Sequence, residues 1–357
     1  MARSRGQRQR LCFLGAAFAC AGSLCWTKFP GFHVVPIEGK GLGAVAEQNF
    51  QAGDLVYEES PRIMWDAEDA ARVQLLKLVA AILLLVSIFL FVAFNSVGLV
   101  PLPLAAAVAL GRPEEVPEEV KDQWNQLSQE QKDQLKGLSD ASTEKSMMGI
   151  LRTNGFSRGA SKSSSSLLLC PVLARFNHSC SPNCQQSWDE QSGTEKLYAM
   201  TTIQKGEELC ITYCDLREPR EVRRETLQAK YGFRCACVAC DVASAVAEAS
   251  DARRGEAARL QEMLPSADAA EGVQIAKRIL QLLDEEGIAD LTLRGLACSE
   301  AVRHCQRLGD LQRAQSWAKQ AYIFYSQARG PESQIARRAK EYLDALDSPE
   351  VTATSSG

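Results

Sequence analysis

At 357 residues the chain is long enough for about two domains, each with its own core, and with 46% apolar and 24% charged residues it reads as globular, not disordered. A formal net charge of −4 excludes the overall basic surface that tight, sequence-independent nucleic-acid binding needs, so no direct binding of nucleic acid is expected. The thirteen cysteines are odd in number and three crowd into positions 235, 237 and 240, which argues against a secreted disulfide framework and for a metal in a reducing compartment.

In chain order, residues 1–10 carry four arginines and residues 11–26 (LCFLGAAFACAGSLCW) are apolar without a charge. A basic start and a short apolar run resemble a signal peptide or anchor, although the run is short for a full span. Residues 1–32 are therefore set apart as an apolar targeting segment. Residues 33–65 predict strands and turns: Gly39-Lys40-Gly41-Leu42-Gly43 is a tight turn, and Asp54 to Pro61 alternates polar and apolar before proline closes it. No long helix follows at the spacing of a dinucleotide fold, so that reading fails. Residues 78–100 hold no charge, and by length and hydropathy they predict a transmembrane helix and membrane association, with 101–110 continuing the apolar insert. A buried core helix and a gene-model artefact are the other readings of this insert.

Residues 112–150 turn acidic and polar, and Trp124, Leu127, Leu135 and Leu138 predict one short amphipathic helix. Residues 161–166 (SKSSSS) read as a flexible loop, and 167–213 return to strands and turns. Residues 217–231 predict a charged helix with Val222, Leu227 and Tyr231 on one face. From about 250 to 347 the chain is helical throughout, with breaks at Gly309-Asp310 and Gly330-Pro331. The helix–turn–helix spacing fits either a tetratricopeptide-type array or a plain helical bundle. His304 and Cys305 fall inside this pattern as packing residues.

The densest chemistry lies in Arg175-Phe-Asn-His-Ser-Cys-Ser-Pro-Asn-Cys184, followed by Gly206-Glu-Glu-Leu-Cys-Ile-Thr-Tyr213 and Phe233-Arg-Cys-Ala-Cys-Val-Ala-Cys240. Asn177 and His178 offer amide and imidazole hydrogen bonds to a polar ligand. Cys235, Cys237 and Cys240 present three thiols within six residues, which repel as thiolates unless a cation binds. Zinc takes four such ligands in a tetrahedron. Cys180 is the first choice for the fourth, with Cys184 and Cys214 as rivals.

Together with GKGLGA upstream, these motifs resemble a SET-domain lysine methyltransferase, nearest the SET-and-MYND type and its relatives without the MYND finger. Residues 60–169 contain no Cys or His, so a second zinc site there has no ligands. The resemblance implies an α+β protein: a β-rich SET plus post-SET domain over 33–240, interrupted by the apolar insert at 78–110, then a helical, TPR-like domain over 241–357. It implies S-adenosyl-L-methionine and Zn2+ as cofactors. Lys40, Gly41, Asn154, Asn177, His178, Tyr213 and Phe233 would contact the methyl donor, Tyr213 would be the catalytic tyrosine, and Cys180, Cys235, Cys237 and Cys240 would hold the zinc. The implied activity is methyl transfer to a lysine of a protein, histone or not.

Methyl transfer from a sulfonium to an amine is an in-line displacement that needs alignment, a neutral amine and an environment tolerant of positive charge. No side-chain nucleophile is required, which suits motifs rich in Asn, Tyr and turns. A single span at 78–100 would separate strands 33–65 from the core motifs and leave a catalytically inactive SET scaffold that acts as a protein-interaction module. The location would be a membrane with the SET domain toward the cytosol if 78–100 inserts, and otherwise the nucleus or cytoplasm.

Overall fold

A computed structural model of the chain describes residues 27–66, 79, 82, 116–142, 144–158 and 166–347. The targeting segment expected at 11–26 lies outside the described residues, as do the membrane span at 78–100, save Val79 and Ile82, and loop residues 161–165. Among the described residues no helix is long and apolar enough to cross a membrane.

The strands expected over 33–65 are present, and begin earlier. β1 (Thr27–Phe29), β2 (Phe32–Ile37) and β3 (Gly41–Ala46) form an antiparallel meander. The β2–β3 turn is possible because Gly39 and Gly41 take φ of 71° and 76°, a left-handed region that costs other residues energy. β4 (Leu55–Glu59) and β5 (Ile63–Asp66) follow. Beyond the insert come β6 (Phe156–Ser157), β7 (Ser166–Leu169), β8 (Asn177–His178), β9 (Cys184–Asp189), β10 (Thr194–Ala199) and β11 (Glu208–Ile211). They build three sheets, in the orders β1-β2-β3-β11-β8, β4-β10-β9 and β5-β7-β6. Every sheet joins strands from before the insert to strands after it: β3 pairs β11, β4 pairs β10, and β5 pairs β7. A single membrane crossing between them is incompatible with these ladders, so the insert does not divide the domain.

Between the insert and β6 the acidic region forms α1 (Glu118–Gln126), α2 (Gln129–Lys136) and α3 (Met147–Asn154). The single amphipathic helix read from Trp124 to Leu138 is two. Leu127 ends the first, and Ser128 starts the second with a capping box, its hydroxyl accepting from the Gln131 amide at 3.2 Å while the Gln131 side chain accepts from the Ser128 amide at 2.8 Å. Val120, Leu135, Leu138 and Leu151 pack with Ile63 and Leu169 into one small core, so the helices cover sheet β5-β7-β6.

α4 (Arg220–Tyr231) ends at Gly232, with φ 77°. Its buried face differs from the sequence reading: Val222 is 42% exposed, whereas Arg223 and Leu227 are buried. The chain then runs through α5 (Ser244–Met263), α6 (Ala269–Glu285), α7 (Leu291–Arg307), α8 (Leu311–Arg329) and α9 (Gln334–Asp347), each packing on its neighbours in sequence. The breaks at Gly309-Asp310 and Gly330 stand where expected, and Asp310 caps α8 by accepting from the Arg313 amide at 2.9 Å. His304 and Cys305 are buried. One core runs from Cys180, Leu216, Leu227 and Cys235 into these helices, so the β-rich part and the helices share an interior.

Candidate active site

β8 is only two residues long, Asn177 and His178, and it lies parallel to β11 with Asn177 opposite Cys210 and His178 opposite Ile211. This pairing brings the RFNHSCSPNC loop against the GEELCITY strand. Asn183 locks the two together: its Nδ2 donates to the Glu208 carbonyl at 2.9 Å and its Oδ1 accepts from the Cys210 amide at 2.8 Å. Buried backbone groups at such a short strand need partners of this kind.

On one side of β8, Glu208 gathers two residues of the expected donor site. Its Oε1 accepts from Asn177 Nδ2 at 2.9 Å and its Oε2 from Lys40 Nζ at 2.5 Å. Partial burial works against the ammonium, but the Glu208 hydrogen bond together with the charges of Cys210, Glu208 and Cys235 outweighs it, and its pKa rises above the ordinary lysine value. Gly43 permits the approach, since a Cβ there would sit 2.5 Å from Asn177 Nδ2. Gly41 and Lys40 form the turn beside it.

His178 is 5% exposed, and burial pulls its pKa down to about 4, which leaves it neutral near pH 7. Its Nδ1 accepts from the Tyr213 amide at 3.1 Å, so Nε2 carries the proton, 3.3 Å from the Cys180 sulfur. Tyr213 donates its hydroxyl to the Phe176 carbonyl at 2.7 Å. Burial pushes this phenol up, away from ionisation. Its ring lies 4.7 Å from that of Tyr231 and edge-on to Phe233 at 6.4 Å, and Phe233 lies 6.2 Å from His178. Four aromatic rings therefore surround the end of β11, a setting that favours a cationic centre.

Tyr213 and Tyr231 also line a cavity of about 390 Å³ that reaches from the β-rich part to the helices at Asp290 and Arg329. Asn154 lies in the wall of this cavity. Its amide donates to the Ser139 and Ile150 carbonyls, each at 2.7 Å, while Lys40 and Asn177 are held by Glu208. The structure thus joins Lys40, Asn177, His178, Tyr213 and Phe233 around β8 and β11, and sets Asn154 apart from the Glu208 cluster.

The sulfurs of Cys180, Cys235, Cys237 and Cys240 all lie within 4.8 Å of one another. Zinc–sulfur bonds of about 2.3 Å in a tetrahedron put sulfurs about 3.8 Å apart, and the Cys180–Cys240 separation is 3.6 Å. The donor set fits a zinc ion. Of the rival fourth ligands, Cys214 forms a second close group with His178 and Cys180, and Cys184 lines the cavity. All the described cysteines are free thiols. Hydrogen bonds from the neighbouring sulfurs pull Cys237 down toward the thiolate, and the Cys180 amide adds one at 3.3 Å.

Two arginines absent from the sequence reading support the cluster. Arg223, 1% exposed, donates through Nε to Cys180 Sγ at 3.3 Å and through Nη2 to Cys240 Sγ at 3.8 Å. Arg224 donates to the carbonyls of Cys235 at 3.1 Å and Cys240 at 3.0 Å, holding the loop that carries the thiols. Glu208 and Tyr231 were also missed. Glu208 stood inside a quoted motif, but no local signal ties it to Asn177. Arg223 lies off the Val222–Leu227–Tyr231 face by which the helix is recognised in the sequence.

Residues 41–214 match the model for the SET domain. The histone-lysine N-methyltransferase set5 of Schizosaccharomyces pombe is 28% identical over 178 residues, which cover 48% of this chain and 54% of that protein. The mouse histone-lysine N-methyltransferase SMYD3 is 40% identical over 73 residues, 20% of this chain and 16% of its own, and the mouse protein-lysine N-trimethyltransferase SMYD5 is 37% identical over 78 residues, 21% and 18%. The chain spans about half the length of the first of these relatives and under a fifth of the other two. The structure of Rubisco LSMT bound to AdoMet aligns with 91% of each chain at 13% identity, with a TM-score of only 0.30.

Proposed function

From the match of residues 41–214 to the SET domain, we propose that the protein transfers a methyl group from S-adenosylmethionine to a lysine side chain of a protein substrate. The observation that carries the proposal is the Tyr213 phenol, half-buried, protonated and fixed on the Phe176 carbonyl at 2.7 Å where β8 meets β11, on a residue that also lines the cavity. The names of the relatives support the same chemistry, each being a lysine methyltransferase.

S-adenosylmethionine would supply an electrophilic methyl group when bound. The Lys40–Gly41 turn, Asn177, His178 and Phe233 would bind it, with Glu208 holding the lysine and the amide in place. A substrate lysine entering from the cavity would meet the Tyr213 hydroxyl and the Phe176 carbonyl. Those two dipoles orient the amine and offset the charge that moves during transfer. The lysine ammonium would first give a proton to water, and these residues would then hold its neutral nitrogen in line with the methyl group that the donor gives up as its sulfur–carbon bond breaks. Alignment supplies much of the rate, because it removes the entropy of encounter. Tyr231 and Phe233 narrow the site and favour a methylammonium over bulk water.

Cys180, Cys235, Cys237 and Cys240 would hold a structural zinc with no open position. Such an ion would tie the NHSC loop to the segment carrying Phe233, and so set one wall of the donor site. The ladders that join strands across the apolar insert remove the reason for reading the domain as an inactive scaffold.

Calorimetric titration of zinc-loaded protein with S-adenosylmethionine, followed by labelled-methyl transfer to whole lysate, tests the proposal. Binding, together with transfer that Tyr213→Phe lowers by about 10²–10³, supports it. Absence of binding to the loaded protein overturns it.

A further inference from the structure

Glu195 sits on β10, 1% exposed, and its Oε2 is buried without a hydrogen-bond partner. It lines the same cavity as Tyr213 and Tyr231. Buried carboxylates in native folds are paired or hydrogen-bonded, because an unpartnered one forfeits its hydration. Arg329, on the helical wall, acts on Glu195 through its field alone, and its own Nε also lacks a partner. Asp290, the other acid of the cavity, is already engaged: it caps α7 by accepting from the Leu293 amide at 3.0 Å. Gln185 on β9 donates to Thr292 Oγ1 at 2.8 Å, and leaves its buried Oε1 unpartnered too. The lining that includes the phenol thus holds two buried acceptors, Glu195 Oε2 and Gln185 Oε1, and two buried donors, Arg329 Nε and Trp188 Nε1, without hydrogen-bond partners.

The partner missing from Glu195 is a donor that neither Arg329 nor Trp188 supplies, and beside a carboxylate the donor most favoured is a cation. A cavity of about 390 Å³ has room for side chains of a bound segment but is bounded by both walls of the molecule. We infer that this cavity seats the substrate segment and that Glu195 receives an arginine or lysine side chain near the target lysine in that segment. The inference rests on the methyl-transfer reading of the same site and gives it a substrate class: proteins whose target lysine has a basic neighbour. Burial pushes the Glu195 carboxyl up to about 8, so the empty cavity avoids an uncompensated charge and a cation entering it would draw the proton off.

The test uses full-length, zinc-loaded protein saturated with S-adenosylhomocysteine. Its probe is a set of capped nine-residue peptides with a central lysine, in which each flanking position in turn is Arg, Lys, Gln or Leu. Fluorescence anisotropy gives each dissociation constant, and calorimetry gives that of S-adenosylhomocysteine. Arg or Lys at one flanking position is expected to bind about tenfold tighter than Gln there. Glu195→Gln should reduce that ratio to under about threefold, with binding of the Gln peptides and of S-adenosylhomocysteine unchanged. Gln185→Glu, which adds a charge to the same wall, should widen the ratio, and it decides the matter if Glu195→Gln fails to fold. A basic preference that survives Glu195→Gln, or no basic preference at all, overturns the inference and leaves water as the partner of Oε2. Binding of S-adenosylhomocysteine with no peptide bound also overturns it while the methyl-transfer reading stands. Failure to bind S-adenosylhomocysteine brings down that reading itself.

Discussion

Arg223 donates through Nε to the sulfur of Cys180 at 3.3 Å, with 1% of the residue exposed. Four thiolates around a divalent zinc carry two surplus negative charges, and burying them calls for a nearby cation. Arg223 reaches two of the four sulfurs, so it would offset one of those two charges and fix the shape of the site together. Arg223→Met is expected to weaken zinc retention by about 10–100-fold in a competition with a chromophoric chelator. Arg223→Lys should restore only part of it, since an ammonium lacks the planar fork that donates through Nε and Nη2. Retention equal to wild type in the Met variant would show that the guanidinium does not support the metal.

Metal removal should loosen more than the cysteine loop. Cys180, Cys235 and Cys240 share a core with Leu227, Ile279 and Trp317, so the cluster is continuous with the helical interior. Metal analysis should find one zinc per chain. A strong chelator should lower the melting temperature and, through Phe233, abolish binding of S-adenosylmethionine. An unchanged melting curve after complete zinc removal would contradict this.

Tyr213→Phe removes the hydroxyl and leaves the Phe176 carbonyl without its donor. Loss of one preorganised donor at a reacting centre costs about 10²–10³ in turnover. Labelled-methyl transfer should fall by that factor, while calorimetric binding of the methyl donor stays within about twofold. Equal losses in binding would assign the phenol to the donor site instead.

Gly43→Ala puts a carbon 2.5 Å from Asn177 Nδ2 and 2.6 Å from Ile37 Cγ1, too close for either to stay. The Asn177 amide would leave Glu208, and donor binding should weaken by about tenfold, the worth of a charged hydrogen bond. Zinc content should not change, because the cysteines lie elsewhere. Wild-type affinity for the donor would place the Asn177–Glu208 contact outside the binding site.

Glu59 accepts from the Leu173 amide at 2.9 Å and the Val172 amide at 3.1 Å, just ahead of the NHSC loop. Burial nonetheless pushes its carboxyl up to about 7, against the partial offsets of those amides and of Arg62. The folded value is above the unfolded one, so this stability is complete below pH 4.5 and is lost as pH rises through about 7. It amounts to an order of magnitude of about 3 kcal/mol. Urea unfolding of wild type and Glu59→Gln across pH 4 to 8 should show the difference in stability moving in the variant's favour over that interval. Parallel curves would mean that the Glu59 carboxyl titrates alike in the folded and the unfolded chain.

Much of the site was legible because its residues come in short runs. RFNHSCSPNC, GEELCITY and FRCACVAC each carry their chemistry within ten residues, and the glycine turn at 39–43 announces itself by composition. The breaks at Gly309 and Gly330 and the packing role of His304 and Cys305 were also visible, since glycine punctuation and apolar spacing are local signals. The split of the acidic helix at Ser128 could have been read from Ser128 and Gln131, whose spacing is that of a capping box.

By itself the sequence determined which groups this protein has for chemistry, in what order, and that three thiols close together call for a cation. Only the tertiary structure decided that Cys180 and not Cys184 joins them, that Glu208 holds Lys40 and Asn177, that Arg223 turns inward, and that the strands on either side of the apolar insert belong to the same sheets. Periodicity and turn chemistry report on neighbours a few positions apart. Those contacts join residues from 31 to 168 positions apart along the chain, apart from Cys235 to Cys240, and which of them form is settled by how the sheets and helices close around a common interior.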